Sequence, residues 1–217
     1  MNGDATIMLV DDHIIVREGY RSLLRRQPGF AVVAEASDGS EAYRRYKALQ
    51  PDLVIMDLTM PGLGGIEAIR RIRQWDGRAR ILVFTMHQSA AYAVQAIRAG
   101  AKGYVTKSSA PDALVMAARD VLAGKVALSP DIDHELALSR IADTPVATDV
   151  LAPREFEILR MLLAEQTTEE IANILHISPK TVANTHYLIK SKLGVVSDIE
   201  LVLVALRQGL LGGVGGV

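Results

Sequence analysis

Short, continuous apolar runs alternate with helical spacing through the N-terminal part of this chain, and few folds accept that pattern. Thr6-Ile7-Met8-Leu9-Val10, Ala31-Val32-Val33-Ala34, Leu53-Val54-Ile55-Met56, Ile81-Leu82-Val83-Phe84 and the shorter Gly103-Tyr104-Val105 read as five strands. A strand with one face in water alternates apolar with polar residues. Unbroken apolar runs belong to strands covered on both faces, as in a parallel sheet. Between them, Val16, Tyr20, Leu23 and Leu24 share one helical face, Ile66, Ile69 and Ile72 a second, Val94 and Ile97 a third, and Leu114, Ala118 and Val121 a fourth. Five strands alternating with five helices predict an α/β domain over residues 1–123, with a doubly wound, five-stranded parallel sheet.

The alternation then stops. Residues 124–147 carry scattered Pro, Asp and Thr around one helix-capable piece at 133–141, which predicts a partly helical linker. Residues 153–163, 168–175, 179–193 and 198–206 all carry helical patterns, with no strand candidate among them, so 148–211 predict an all-α domain of four helices. The glycine-rich stretch 212–217 is expected to be a frayed tail, because glycine loses the most freedom on ordering. Composition narrows the chemistry. The chain has no cysteine, which excludes disulfides, thiolate metal sites and cysteine nucleophiles. Its net charge is −1, no apolar run approaches the ~20 residues of a membrane-spanning helix, and no basic-then-apolar leader opens it. A soluble, cytoplasmic protein without membrane contact is expected.

In a doubly wound sheet, ligands bind outside the carboxyl ends of the strands. That rule selects Asp11 and Asp12 after the first strand, Asp57 after the third, Thr85 at the end of the fourth and Lys107 after the fifth. Close carboxylates repel one another unless something neutralises them, and a hard divalent cation such as Mg2+ does so through oxygen ligands. With that charge balanced, Asp57 can attack a phosphoryl group as nucleophile, while the Lys107 ammonium stabilises charge on the equatorial oxygens and Thr85 hydrogen-bonds the attached phosphate. Taken singly, Asp12 reads as a helix cap, Thr85 and Lys107 as surface residues, and Tyr104 as a half-buried core aromatic. Their convergence on one edge is what favours phosphoryl chemistry.

Asp11-Asp12-His13, Met56-Asp57-Leu58-Thr59-Met60-Pro61-Gly62, Phe84-Thr85-Met86 and Gly103-Tyr104-Val105-Thr106-Lys107 resemble the signature blocks of response-regulator receiver domains, over residues 5–122. The resemblance implies a flavodoxin-like sheet of order 2-1-3-4-5 and a phosphoacceptor, Asp57, served by a sensor histidine kinase. It implies Mg2+ bound by Asp12, Asp57 and the backbone carbonyl of Thr59, with Asp11 in support. It also marks Thr85 and Tyr104 as the switch pair. On the residues alone an aspartyl-phosphate hydrolase is the rival. Such hydrolases need a second acid two residues after the nucleophile, and Thr59 stands there.

In the second domain, Thr167-Thr168-Glu169-Glu170-Ile171-Ala172 and Ile177-Ser178-Pro179-Lys180-Thr181-Val182 supply two caps around a short turn, a plausible helix-turn-helix. On its second helix Val182, Ile189 and Leu193 would face the core, leaving Lys180, Ala183, Asn184, Tyr187, Lys190 and Ser191 toward the exposed side. From Val146 onward six Lys and Arg stand against eight Asp and Glu, a net of −2, so the domain is not basic overall. Three lysines and no acid occupy 178–193, which limits any phosphate-contacting surface to one helix. A helical domain that binds a protein partner therefore stays open on composition alone. Leu151-x-Pro153-Arg154-Glu155-x-Glu157-Ile158, Glu170-Ile171-Ala172, Ile177 to Val182 and Lys192-Leu193-Gly194-Val195 resemble the LuxR-type helix-turn-helix. Together the two resemblances are similar to the NarL/FixJ class of response regulators, with Ser197-Asp198-Ile199-Glu200-Leu201 closest to the GacA/UvrY-like subgroup. They imply a phosphorylation-switched transcription regulator rather than an enzyme, binding double-stranded DNA as a homodimer, with RNA polymerase as a further partner and release of the DNA-binding helix as an output. Ala183, Asn184 and Tyr187 fall at base-facing positions, and Lys180, Thr181 and Lys190 at backbone-contacting ones. The chain departs from the pattern at Glu165, where glycine is usual, at Thr185 and at Ala183.

Overall fold

The computed structural model describes residues 3–141 and 147–211; the glycine-rich tail 212–217 and part of the linker lie outside the described residues. In chain order the first domain runs β1 (Ala5–Val10), α1 (Ile14–Arg25), β2 (Phe30–Ala36), α2 (Gly39–Leu49), β3 (Leu53–Met56), α3 (Gly65–Trp75), β4 (Ile81–Thr85), α4 (Ala90–Ala99), β5 (Gly103–Thr106) and α5 (Pro111–Leu122). Every strand pairing is parallel, in the order β2-β1-β3-β4-β5. Residues of β3, β4 and β5 are buried throughout, which is why their sequences lack polar alternation. Leu24 of α1 and Leu114, Ala118 and Val121 of α5 cover one face of the sheet, while α2, α3 and α4 cover the other. The order of strands reverses at β1, with β2 on one side and β3 on the other, so the parallel strands β1 and β3 deliver their carboxyl ends to one crevice at the switch point.

The sheet has a sixth strand, β6 (Ala127–Leu128), where five were expected. After α5 the chain turns at Gly124, whose φ of 82° suits glycine. It then lays two residues along the open edge of β5, with Ala127 N donating to Lys102 O and Ser129 N to Tyr104 O. A two-residue strand has no periodicity to read. The helix that follows, α6 (Pro130–Ile141), starts at the proline, three residues ahead of the expected piece. Asp131 of α6 accepts a 2.6 Å hydrogen bond from Thr106 Oγ1, fastening the start of the linker to the strand that precedes Lys107.

A 3-10 turn (Ala147–Val150) leads into α7 (Pro153–Leu163), α8 (Thr168–Leu175), α9 (Pro179–Leu193) and α10 (Asp198–Arg207). Local chemistry sets these boundaries. Thr167 and Glu170 exchange hydrogen bonds as a capping box at the head of α8. Ser178 caps α9 with Pro179 in its first turn, and Gly194 ends α9 in the left-handed region. Phe156, Ile171, Leu175, Val182, Ile189 and Leu201 form the helical core, which is continuous with the α2–α4 side of the sheet.

Candidate functional site

The acidic crevice is assembled by backbone first. Asp57 N donates to Val10 O (2.9 Å), registering the loop after β3 against the end of β1. Asp57 is only 5 % exposed, and its Oδ1 accepts from Leu58 N at 2.6 Å and Thr59 N at 3.4 Å. Its Oδ2 lies 2.6 Å from Lys107 Nζ, which also reaches Asp11 Oδ2 at 2.6 Å. Burial pushes the Lys107 pKa down, but the Asp57 and Asp11 carboxylates outweigh it and hold the ammonium above its usual range. Ligand atoms of Asp11, Asp12, His13 and Asp57 all lie within 4.8 Å of one another. Three carboxylates thus face one ammonium.

Thr85 Oγ1 is buried and has no hydrogen-bond partner among the described residues. A buried hydroxyl without a partner is costly and calls for an acceptor from outside the chain. Asp12, Asp57, Thr59, Thr85 and Lys107 line the same open cleft of about 610 Å³. Of the other sequence-predicted receiver residues, Asp11 is buried beside the cleft and tied to it through Lys107, and Tyr104 is fully buried and donates from its hydroxyl to His87 O at 2.9 Å. Burial drives the Tyr104 pKa well up, so its hydroxyl stays protonated as a donor.

Three contributors carry no sequence signal of their own. A Cβ on Gly65 would sit 2.1 Å from Asp57 O, so only glycine lets α3 start this close to the loop bearing Asp57. Arg17 donates to the Asp11 carbonyl at 2.5 Å and to Glu35 at 2.7 Å, steadying the β1 end of the crevice. His87 Nε2 lies 2.6 Å from Thr59 Oγ1, and its ring stacks on Tyr92 at 3.8 Å between centroids. Burial lowers the His87 pKa although Asp57 pulls the other way, which favours a neutral ring.

The helix-turn-helix presents α9 to solvent. Lys180, Thr181, Ala183, Asn184 and Tyr187 are exposed, Tyr187 at 75 %, while Val182 and Ile189 are fully buried. Lys190 is half-buried and its Nζ meets Asp198 at 3.1 Å, and Lys192 is engaged by Glu155 at 2.7 Å. Of the three lysines on α9, only Lys180 lacks an ion-pair partner among the described residues, so the cationic surface is narrower than the sequence suggests. Thr185 turns its hydroxyl back to Thr181 O (2.8 Å), and His186 Nε2 lies 2.9 Å from Asp198. Glu165 takes a φ of 58°, the left-handed conformation in which glycine is the easy occupant.

The two domains are packed together through α3, α4 and α7. Glu67 of α3, wholly buried, accepts from Arg70 and Arg71 of its own helix and from Arg154 of α7 at 2.9 Å. Tyr92 of α4 meets Phe156 edge to face at 5.3 Å. Gln95 donates to the carbonyls of Thr148 and Leu151, and Ser89 to that of Gln208. The outer face of α9 remains in solvent throughout this packing, so its exposure does not await separation of the domains.

Residues 7–119 match the family model described as response regulator receiver domain, and residues 149–205 match that of bacterial regulatory proteins, luxR family. The chain is 38 % identical over 208 residues to response regulator UvrY of Escherichia coli strain K12, covering 94 % of each chain. It is 36 % identical over 209 residues to response regulator GacA of Pseudomonas aeruginosa, covering 94 % of this chain and 97 % of that one. Among solved structures, a LuxR-family two-component response regulator from Aurantimonas sp. SI85-9A1 is 64 % identical over 64 % of this chain and 99 % of its own (TM-score 0.63). RcsB from Salmonella enterica serovar Typhimurium, bound to promoter rprA in the presence of a phosphomimetic, is 27 % identical and covers 93 % of this chain and 98 % of its own at a TM-score of 0.75. Acidic crevice, sheet and helix-turn-helix therefore place this chain among the response regulators of the NarL/FixJ class, a receiver domain joined to a LuxR-type DNA-binding domain.

Proposed function

We propose that Asp57 is the phosphoacceptor and that its phosphorylation by a sensor histidine kinase controls sequence-specific DNA binding by a homodimer. The carrying observation is Lys107 held 2.6 Å from both Asp57 and Asp11 beside the partnerless hydroxyl of Thr85. An Oδ of Asp57 attacks phosphorus, the bond from phosphorus to the donor imidazole breaks, and Lys107 turns to the equatorial oxygens. Thr85 gains the acceptor it lacks. The all-oxygen set suits Mg2+, held by Asp12, Asp57 and the Thr59 carbonyl with Asp11 in support. When bound, the ion offsets charge between the carboxylates and the incoming phosphoryl group. Slow loss of the phosphoryl group by hydrolysis at the same site is the only turnover in this reading, and the chain is otherwise a regulator rather than an enzyme.

The receiver spans 1–123, the linker 124–147 and the DNA-binding domain 148–211. Ile15, Val16, Leu23, Met86 and Pro111 wall a cleft of about 490 Å³ that opens beside Lys107, an apolar seat for the kinase close to the acceptor. On the DNA side, Ala183, Asn184 and Tyr187 face bases and Lys180 and Thr181 the backbone, with Lys190 joining them once it leaves Asp198. RNA polymerase is the further partner of such a regulator in the cytoplasm. Acetyl phosphate with Mg2+ is expected to add one phosphoryl group, mapped to Asp57 by mass spectrometry. Labelling that persists in Asp57→Asn, or that is indifferent to chelation of Mg2+, would overturn this assignment.

A further inference from the structure

We infer that the packing of α7 on α3 and α4 is a brace that holds the DNA-binding domain in its DNA-competent orientation, rather than a clamp that masks it. A masking contact must cover the surface it silences. Here the contact uses α7, the 3-10 turn, the chain end after α10 and the last carbonyl of α8, to which Arg71 donates, whereas Asn184 and Tyr187 on α9 are exposed to solvent. The α10 face bearing Ile199, at 75 % exposure, is equally uncovered and available to a second copy.

The contact is also built for geometry. Ser89, Gln95 and Arg98, spaced along α4, each donate a side-chain hydrogen bond to a backbone carbonyl beyond the linker, those of Gln208, Thr148 and Asp149 respectively. Bonds to backbone fix where a segment runs whatever its side chains are. Arg154 adds a charge-assisted bond to the buried Glu67. The likeness to the promoter-bound relative extends beyond the receiver: it covers 93 % of this chain at a TM-score of 0.75, whereas the receiver match spans little over half. A brace matters because two recognition helices must meet two half-sites at once, and a misdirected second domain forfeits the gain in effective concentration.

The inference rests on the DNA-binding reading above, and its test separates the two. A duplex with two half-sites, and its one-half-site fragment, are selected from a random pool by the native full-length chain. Failure to enrich any duplex would overturn the DNA-binding reading and the brace with it. Two variants then weaken the brace. Arg154→Ala removes the ion pair. Gly64→Leu drives a side chain into the contact, since a Cβ there would lie 2.3 Å from Glu157 Oε1, and the φ of −70° at Gly64 accepts any residue. With beryllofluoride and Mg2+ present, both variants are expected to bind the two-site duplex about tenfold more weakly, with one-site affinity changed by less than about twofold. Unchanged or tighter binding to the two-site duplex would show a clamp or no coupling, and overturn the brace. A parallel loss on the one-site fragment would place the defect inside the helix-turn-helix and overturn it too. Labelling of both variants by acetyl phosphate verifies that their receivers are folded.

Discussion

At the scale of single residues, Thr85 and Glu165 each carry a local cost that a substitution can relieve. Thr85 buries a hydroxyl with no hydrogen-bond partner among the described residues, beside a Lys107 already held by Asp57 and Asp11. Thr85→Val keeps the shape and removes that hydroxyl, so it is expected to stabilise the unphosphorylated chain by about 1 kcal/mol, read as a raised unfolding midpoint. The same variant is expected to lose most of the response of DNA affinity to beryllofluoride. Glu165 holds a φ of 58° where α7 gives way to α8. A left-handed non-glycine residue costs ~1–2 kcal/mol, part of which glycine returns as extra freedom of the unfolded chain, so Glu165→Gly should gain about 0.5–1 kcal/mol. A loss of stability in urea titration would contradict that account.

At the scale of elements, legibility followed the strength of the local signal. The five long strands were readable because strands covered on both faces carry unbroken apolar runs, and α7, α8 and α9 because proline, Ser178 and the Thr167–Glu170 box mark their ends. The acidic crevice was legible because topology alone sends the residues after β1, β3, β4 and β5 to one edge. What sequence missed depends on contacts distant along the chain. The stripe Val94 and Ile97 was expected to face inward, yet Ile97 is 37 % exposed. The buried side of α4 is alanine with Tyr92 and Gln95, because α4 packs on a sheet and on a second domain at once. His87 and Gly65 likewise act through partners that no spacing rule names. Glu67 of α3 gives this contact a pH dependence of known sign. Burial pushes its pKa up, but hydrogen bonds from Arg70 and Arg71 and the charge of Arg154 hold it below the usual carboxylate range. A depressed folded pKa gives stability that is complete above the free value, about 4.3, and lost as pH falls through the lower folded value. Domain packing should therefore be level from pH 5 to 8 and weaken only under more acid conditions, as read by small-angle scattering. Opening near pH 6 would show that another group governs it.

At the scale of the whole molecule, a contiguous path of contacts joins chemistry to output. Thr59 touches His87, His87 stacks on Tyr92, and Tyr92 meets Phe156 in the helix that carries the DNA-binding domain. Contact alone does not prove coupling; two states must exist that both ends bias. Phosphorylation adds ~1.5–2 negative charges beside Lys107 and Thr85, and so favours whichever pre-existing state brings those groups to the phosphate. The central claim is that this state also binds DNA more tightly. Titration of the selected two-site duplex with the native chain, with and without beryllofluoride and Mg2+ and alongside Asp57→Asn, tests it directly. The native chain should gain about tenfold or more in affinity, within the ordinary range of coupling between sites, and Asp57→Asn should gain nothing. An equal gain in both proteins, or none in the native chain, would contradict the claim.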